Sequence, residues 1–209
     1  QKLLFVSSGG VVYGEPRQIP TPEIAEKRPL SPYGVTKLCG ELYLDYYLHL
    51  YGLEYVALRY SNVFGPRQDP HGEAGVVAIF CTRILNGQEL TIFGDGEQTR
   101  DYVYVKDVVA ANMLASKADM GDGTGLDSRA FNVGSGVGTS VLKLADALER
   151  VAQVTCSRSH LPEREGELKN STLDSGLIQS RGWSPAYTLE EGLRETYNHI
   201  VKERARSTA

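Results

Sequence analysis

The stretches Phe5-Val6-Ser7-Ser8-Gly9-Gly10-Val11-Val12-Tyr13-Gly14 and Ser31-Pro32-Tyr33-Gly34-Val35-Thr36-Lys37 decide how this chain is read. In the first, the apolar run Leu3 to Val6 ends in a glycine turn, as expected of a parallel strand covered on both faces. In the second, Ser31 is a helix N-cap with Pro32 at the first helical position. The helix is expected to run to about Tyr51, where Gly52 stops it. Tyr33 and Lys37 stand one turn apart and share a face. A phenol beside an ammonium is a proton-transfer device, because the cation favours the phenolate. The plainer reading is two ordinary helix-surface residues, since this spacing recurs by chance.

Residues 9–30 read as a loop rich in Gly, Pro and Glu. Tyr55 to Tyr60 is expected as a second strand, and 61–73 as a polar loop at its C-terminal end, where open α/β sheets hold ligands. Ala74 to Asn86 reads as a helix closed by Gly87, Leu90 to Phe93 as a short strand, and Gly94 to Thr99 as a turn. Tyr102 to Val105 leads into a helix over about Asp107 to Lys117. Asp119 to Ser128 is a polar, Gly-rich loop. Ala130 to Val133 is a strand, and Thr139 caps a helix to about Ala152. A strand is expected near Val154 to Ser157, a loop through Glu167, a short helix near Asp174 to Arg181, and a closing helix from Leu189.

At 209 residues with a net charge of −4 and no basic block, the chain can bury a sizeable core and is not expected to bind nucleic acid or a membrane surface. No apolar run approaches a membrane span. Cys39, Cys81 and Cys156 are odd in number and widely spaced, so they read as free thiols of a reducing compartment rather than a disulfide frame. His49, His71, His160 and His199 lack metal-ligand spacing, and no metal site is expected.

Further segments carry a resemblance. They are Leu58-Arg59-Tyr60-Ser61-Asn62-Val63-Phe64-Gly65-Pro66-Arg67, Asp69 to Val77, Ile92-Phe93-Gly94-Asp95-Gly96, Thr99 to Val103, Phe131-Asn132-Val133-Gly134 and Arg164-Glu165-Gly166-Glu167. In this order, with the two opening stretches, they resemble the NAD-dependent epimerase/dehydratase family of the extended short-chain dehydrogenases/reductases, in its UDP-hexose 4-epimerase branch. The resemblance implies an α/β fold: the second half of a Rossmann-like doubly wound parallel sheet plus a smaller α/β substrate lobe. It divides the chain into residues 1–65, with contributions from about 102–134, and a nucleotide-sugar lobe over 66–209. It also implies that a dinucleotide-binding half of roughly a hundred residues precedes residue 1. Gly134-Ser135-Gly136-Val137-Gly138 has the spacing GxGxG rather than GxGxxG and reads as a structural turn, not a pyrophosphate cradle.

The resemblance also implies roles. Tyr33 is the acid/base and Lys37 its partner, with Ser7, Tyr33, Lys37, Tyr60 and Val63 beside the NAD cofactor. Family members often carry a hydroxyl at the position of Gly9; Ser8 or a water would replace it, the alternative for Ser8 being a strand-end residue bonded to backbone. Gly10 and Val11 stand where the family's dehydratases and decarboxylases need acids, which argues against those chemistries. Gly9, Asn62, Val77, Thr91, Phe93, Arg100, Arg164, Glu167 and Ser171 fall at UDP-sugar contacts. Asn62, Arg100 and Arg164 would meet the diphosphate, Thr91 and Phe93 the uracil, Glu167 the ribose, and Ser171 the hexose. The plain alternatives are surface ion pairs for the arginines, a core role for Phe93 and a solvated loop position for Ser171. Arg59 reads as structural and Asp101 to Val105 mostly as scaffold.

The expected activity is therefore UDP-hexose 4-epimerisation in a cytoplasmic homodimer. Its dimer helix would carry Leu38, Leu42, Tyr43, Tyr46 and Leu50. The alternatives are a non-catalytic nucleotide-sugar-binding fragment, or a dehydrogenase of the same family, for which the uridine contacts would have no purpose.

Overall fold

The computed structural model describes residues 2–70, 75–121, 123–164 and 166–207. Ala74, expected to open a helix, residues 71–73 of the expected polar loop, Asp122 and Glu165 lie outside the described residues. The chain begins with strand β1 (Lys2–Ser8) and the single helical turn α1 (Gly9–Val12). Helix α2 (Pro32–Tyr51), β2 (Glu54–Tyr60) and β3 (Asn62–Phe64) follow. Next come α3 (Val76–Leu85), β4 (Leu90–Phe93), β5 (Thr99–Tyr104) and α4 (Val105–Lys117). A 3₁₀ turn (Leu126–Arg129) leads into β6 (Ala130–Val133), β7 (Gly138–Ser140) and α5 (Val141–Ala152). The rest is β8 (Arg158–Leu161), β9 (Asn170–Ser171), α6 (Gly176–Gln179) and α7 (Leu189–Ser207).

Three parallel strands in the order β1-β2-β6 form the first sheet. Register runs from Lys2↔Glu54 to Ser8↔Tyr60, and from Ala57↔Ala130 to Tyr60↔Val133, so the C-terminal ends lie side by side. Strand β2 explains its own burial. Tyr55 and Ala57 pack with Phe5, Leu44 and Leu48 on the α2 face. Val56 and Leu58 pack with Val108, Ala111, Ala115 and Phe131 on the α4 face. Alternate side chains leave a strand on opposite faces, so a strand covered on both reads as one apolar run. Helix α2 lies close on β1: a Cβ at Gly40 would come within 2.4 Å of the Phe5 ring. The Ser31 hydroxyl accepts from the Gly34 amide at 3.1 Å, and Gly52, at φ 68°, ends the helix.

Strand β5 is the centre of a second sheet, with β3 and β9 parallel to it and β7 antiparallel. Strands β4 and β8 form a parallel pair. Between these strands and α3, α5 and α7 lies a core of Phe64, Phe80, Ile84, Leu90, Tyr104, Leu144, Leu148 and Leu193. The three cysteines are free; burial pushes the Cys81 thiol up to about 12. Among the described residues no helix is long and apolar enough to cross a membrane.

Several local expectations need correction. Residues 9–12 form a helical turn rather than loop, because Val12 and Tyr13 pack onto Leu173. Asn62–Phe64 pairs with Tyr102–Tyr104 and is therefore strand, not loop. Ser140, not Thr139, caps α5: its hydroxyl accepts from the Lys143 amide, while Thr139 pairs with Arg100 in the sheet. The strand expected at Val154 to Ser157 lies at Arg158–Leu161. The Cys156 amide is held by the Glu149 carboxylate, and the pairing with β4 starts one residue beyond Ser157.

Arg59 is fully buried and joins these parts. Its guanidinium donates to both Glu41 carboxylate oxygens (Nε–Oε1 3.0 Å, Nη2–Oε2 2.6 Å), to the Tyr13 hydroxyl at 3.0 Å and to the Glu23 carbonyl at 3.0 Å. Glu41 has no exposed side-chain surface either, and it also accepts from the Ser7 hydroxyl. Removing one partner of a buried pair strands the other charge. Glu41→Ala is therefore expected to destabilise the chain by about 3–5 kcal/mol in urea unfolding, whereas Glu41→Met with Arg59→Met costs distinctly less. A single variant no worse than the double would show that the pair is not the clamp.

Candidate active site

The first two turns of α2 deliver Tyr33 and Lys37 to the C-terminal end of β1. The Lys37 ammonium donates to the Val6 carbonyl at 2.8 Å and sits 5.5 Å from the Phe5 ring centroid and 5.4 Å from that of Tyr33. Strand backbone thus anchors the cation beside the phenol. Tyr33 is 54 % exposed, so a ligand can reach it from solvent. Ser8 ends β1, half-buried, and its side chain makes no cap to α1. Ser7 points elsewhere: it is buried, with its hydroxyl on Glu41.

Asn62 and Ser171 meet at Gly10. A Cβ built on Gly10 would lie 3.7 Å from Asn62 Oδ1 and 3.8 Å from Ser171 Oγ. Gly9 differs, because its open side is filled by Leu173. Tyr60 exchanges hydrogen bonds with the Asn112 side chain at 2.9 and 2.7 Å, and burial raises its phenol above the ordinary value. Val63 is half-buried beside it in the α4-side cluster.

A second group of the expected residues gathers around β4, β5 and the 164–167 segment. The Arg164 guanidinium lies 3.9 Å from the Phe93 ring centroid, a stacked cation–π contact. Thr91 accepts from Arg83. Arg100 donates to the Glu167 carboxylate at 3.0 Å and to the Thr99 carbonyl at 2.9 Å, so two groups expected on different parts of a nucleotide face each other. Val77 is buried in the lobe core.

The glycine turn at 134–138 holds an internal carboxylate. Asp101 accepts from the Ser135 amide (2.8 Å) and hydroxyl (2.7 Å), the Gly136 amide (3.1 Å) and the Leu173 amide (3.2 Å). Burial raises the Asp101 carboxyl above the usual range, and these donors oppose the rise. Amides engaged in this way do not form a pyrophosphate cradle. The turn therefore does not fit the pyrophosphate, and of the residues expected beside the nicotinamide and its ribose, Tyr33 and Lys37 lie at the end of β1, Tyr60 and Val63 lie in the α4-side cluster, and Ser7 is buried on Glu41. Among the described residues no cluster of His, Cys, Asp or Glu could hold a metal ion.

Two contributors escaped the sequence reading. Asp101, expected as scaffold, serves as one: it ties the 134–138 turn to Leu173. Asn132 joins the segments on either side of it, donating to the Thr21 carbonyl (2.9 Å) and the Asp174 carbonyl (3.1 Å) while its own amide donates to Glu23. Leu173 packs against Gly9. A charged or amide residue inside an apolar strand run, as at Asn132 and Arg59, is the one signal that marks such buried junctions.

Residues 1–134 match the model of the NAD dependent epimerase/dehydratase family, and the chain belongs to that family. It is 45% identical over 197 residues to a putative UDP-glucose 4-epimerase of Methanocaldococcus jannaschii, covering 94% of this chain and 62% of that protein. It is 44% identical to the UDP-glucose 4-epimerase of Mycolicibacterium smegmatis, covering 94% and 61%. The crystal structure of the Thermotoga maritima UDP-glucose 4-epimerase with UDP-glucose superposes with a TM-score of 0.91 at 46% identity, covering 97% of this chain and 64% of that one. A UDP-N-acetylglucosamine 4-epimerase from Methanobrevibacter ruminantium, in complex with UDP-N-acetylmuramic acid, gives 0.88 at 38% identity, covering 97% and 63%. The chain thus spans about three fifths of the length of these relatives.

Asp101→Ala is expected to free the amides of Ser135, Gly136 and Leu173. Hydrogen exchange at these three should accelerate at least tenfold more than at Leu58, and stability should fall by about 2–4 kcal/mol. Unchanged exchange at Ser135 and Gly136 would contradict the tie.

Proposed function

We propose that this chain carries the UDP-sugar site and the acid/base of a UDP-hexose 4-epimerase. The observation that carries the reading is the Tyr33–Lys37 pair anchored on the Val6 carbonyl at the C-terminal edge of a parallel sheet. The phenol oxygen of Tyr33 takes the proton of the sugar 4-hydroxyl and returns it; because the C4 hydride would be returned as well, the reaction has no net redox change. The Lys37 ammonium, held over the Tyr33 ring, faces the negative charge that develops during that transfer. NAD supplies the reversible hydride acceptor when bound. Ser8 donates to the sugar 4-oxygen in place of the hydroxyl that Gly9 lacks.

Arg100 and Arg164 neutralise the diphosphate, which Asn62 also meets; forked guanidinium donors suit phosphate oxygens. Phe93 and the Thr91 segment hold the uracil, with Val77 contributing backbone. Glu167 accepts from the ribose hydroxyls. Ser171 faces the hexose and, being small, leaves room for a 2-acetamido group. Relatives with solved complexes support this range, since their ligands include UDP-glucose and UDP-N-acetylmuramic acid.

The chain alone is expected to bind UDP but to lack measurable turnover of UDP-glucose with added NAD, because the Ser135 and Gly136 amides are engaged by Asp101 and the Gly134 amide by Ser175. Joined to the first two fifths of the Thermotoga maritima relative, it should interconvert UDP-glucose and UDP-galactose and also accept UDP-N-acetylglucosamine. In that chimera Tyr33→Phe should lower kcat by about 10²-fold or more, and Ser171→Tyr should suppress the acetylated substrate selectively. A Tyr33→Phe chimera within about twofold of the parent would refute the acid/base assignment.

The outer stripe of α2, with Leu42, Tyr43, Tyr46 and Leu50 each about half exposed or more, is proposed as the seat of a second copy. Leu38 is not part of it, since it packs inward on Val12 and Tyr13. Sedimentation should give a dimer that Tyr43→Glu with Tyr46→Glu splits; a wild-type monomer at high concentration would exclude it.

A further inference from the structure

A Cβ built on Gly9 would lie 2.6 and 2.9 Å from the two Leu173 methyls and 3.2 Å from the Arg59 carbonyl oxygen. Carbon atoms do not approach so closely, so nothing larger than hydrogen fits while Leu173 stays where it is. Leu173 is not free to swing aside. It is 1 % exposed and packs with Val12 and Tyr13. Its amide donates to Asp101 at 3.2 Å. On either side, Thr172 accepts from the Thr21 amide and the Asp174 amide donates to the Thr21 carbonyl, both at 2.9 Å, so the segment cannot slide.

Ser171 stands two residues earlier on the same extended segment. Side chains at i and i+2 of an extended chain share a face. Here they meet adjacent residues of one turn: Ser171 Oγ lies near Gly10 and the Leu173 methyls lie on Gly9. We propose that Leu173 is a positioning residue for the hexose pocket. It shares one volume with position 9, and the size of that pair sets the spacing between the Ser8–Gly10 turn and the Asn62–Ser171 wall.

The inference deepens the epimerase reading and rests on it for the location of the hexose. A side chain added at position 9 must push either the turn, with Ser8, or the segment that holds Ser171. Gly9→Ser adds two heavy atoms and Leu173→Ala removes three, so the two changes together approximately restore the filled volume. Ser8 is then the hydroxyl this arrangement leaves for the sugar 4-oxygen, since position 9 is closed.

The test is a double-variant cycle on the 209-residue chain, read by melting temperature and by the ratio of UDP-glucose to UDP affinity in calorimetry. UDP reports the uridine and diphosphate contacts, and the ratio isolates the hexose. Gly9→Ser should lower the melting temperature by roughly 2–12 °C and Leu173→Ala by roughly 4–20 °C. Each should reduce the affinity ratio about tenfold. The double variant should melt well above the sum of the two losses and return to within about threefold of the parent ratio. Gly9→Ala and Leu173→Val change fewer atoms and give the same cycle where Gly9→Ser does not fold.

Additive melting losses would overturn the shared volume. Coupled melting with an unchanged affinity ratio in both single variants would make the pair structural only and overturn the positioning role. A parent chain that binds neither ligand would contradict the epimerase reading, and the positioning role with it, while the melting cycle alone would still decide the shared volume.

Discussion

The buried ion pair of Arg59 with Glu41 is the contact on which the rest depends. Neither side chain has exposed surface, and a charge taken out of water is tolerated only when its partners are complete. Arg59 meets that condition by drawing in groups from several elements: Glu41 of α2, Tyr13 beyond α1, the Glu23 carbonyl, and Asp127 of the 3₁₀ turn at 3.1 Å. Ser7 of β1 completes the Glu41 side. Because Glu41 lies one turn beyond Lys37 and two beyond Tyr33, this clamp sets the rotation and height of α2 over the sheet. The exposed end of the helix then brings Tyr33 and Lys37 to the edge of β1, where Lys37 finds the Val6 carbonyl.

A second buried junction carries this order into the other lobe. The carbonyls of Thr21 and Asp174 are both bound by the Asn132 side chain, which also accepts from Tyr13 at 2.8 Å. Asp101 of β5 gathers the amides of Ser135, Gly136 and Leu173. The segment bearing Ser171 and Leu173 is thereby held against the turn that follows β1. The two halves of the proposed site, acid/base on one side and hexose wall on the other, are linked by hydrogen bonds that reach back to Tyr13 and so to Arg59.

What could be read from the sequence follows from how locally each feature is determined. The strand before Ser7, the cap at Ser31, the stop at Gly52 and the two-face burial of β2 depend on near neighbours and on apolar period, and they were legible. Asn62–Phe64 and Asn170–Ser171 were not, because such short strands exist only through pairing with β5. The run Val154-Thr155 has β-branched character, but Glu149 holds the following turn and moves the strand onward. Arg59 was recognisable as structural from its place in an apolar strand, although its partners were not. The facing of Arg100 and Glu167, and the fit of Leu173 onto Gly9, join residues distant in sequence and leave no local trace.

In the proposed site a single UDP-sugar runs from the Arg164–Phe93 stack to the Tyr33 phenol. A crystal structure of the chain with UDP-glucose tests it directly. The expected result is uracil beside Phe93, the diphosphate between Arg100 and Arg164, and the glucose between Gly10 and Ser171 with its 4-hydroxyl within hydrogen-bond distance of Tyr33. A nucleotide bound elsewhere, or one whose hexose points away from Tyr33, would contradict it.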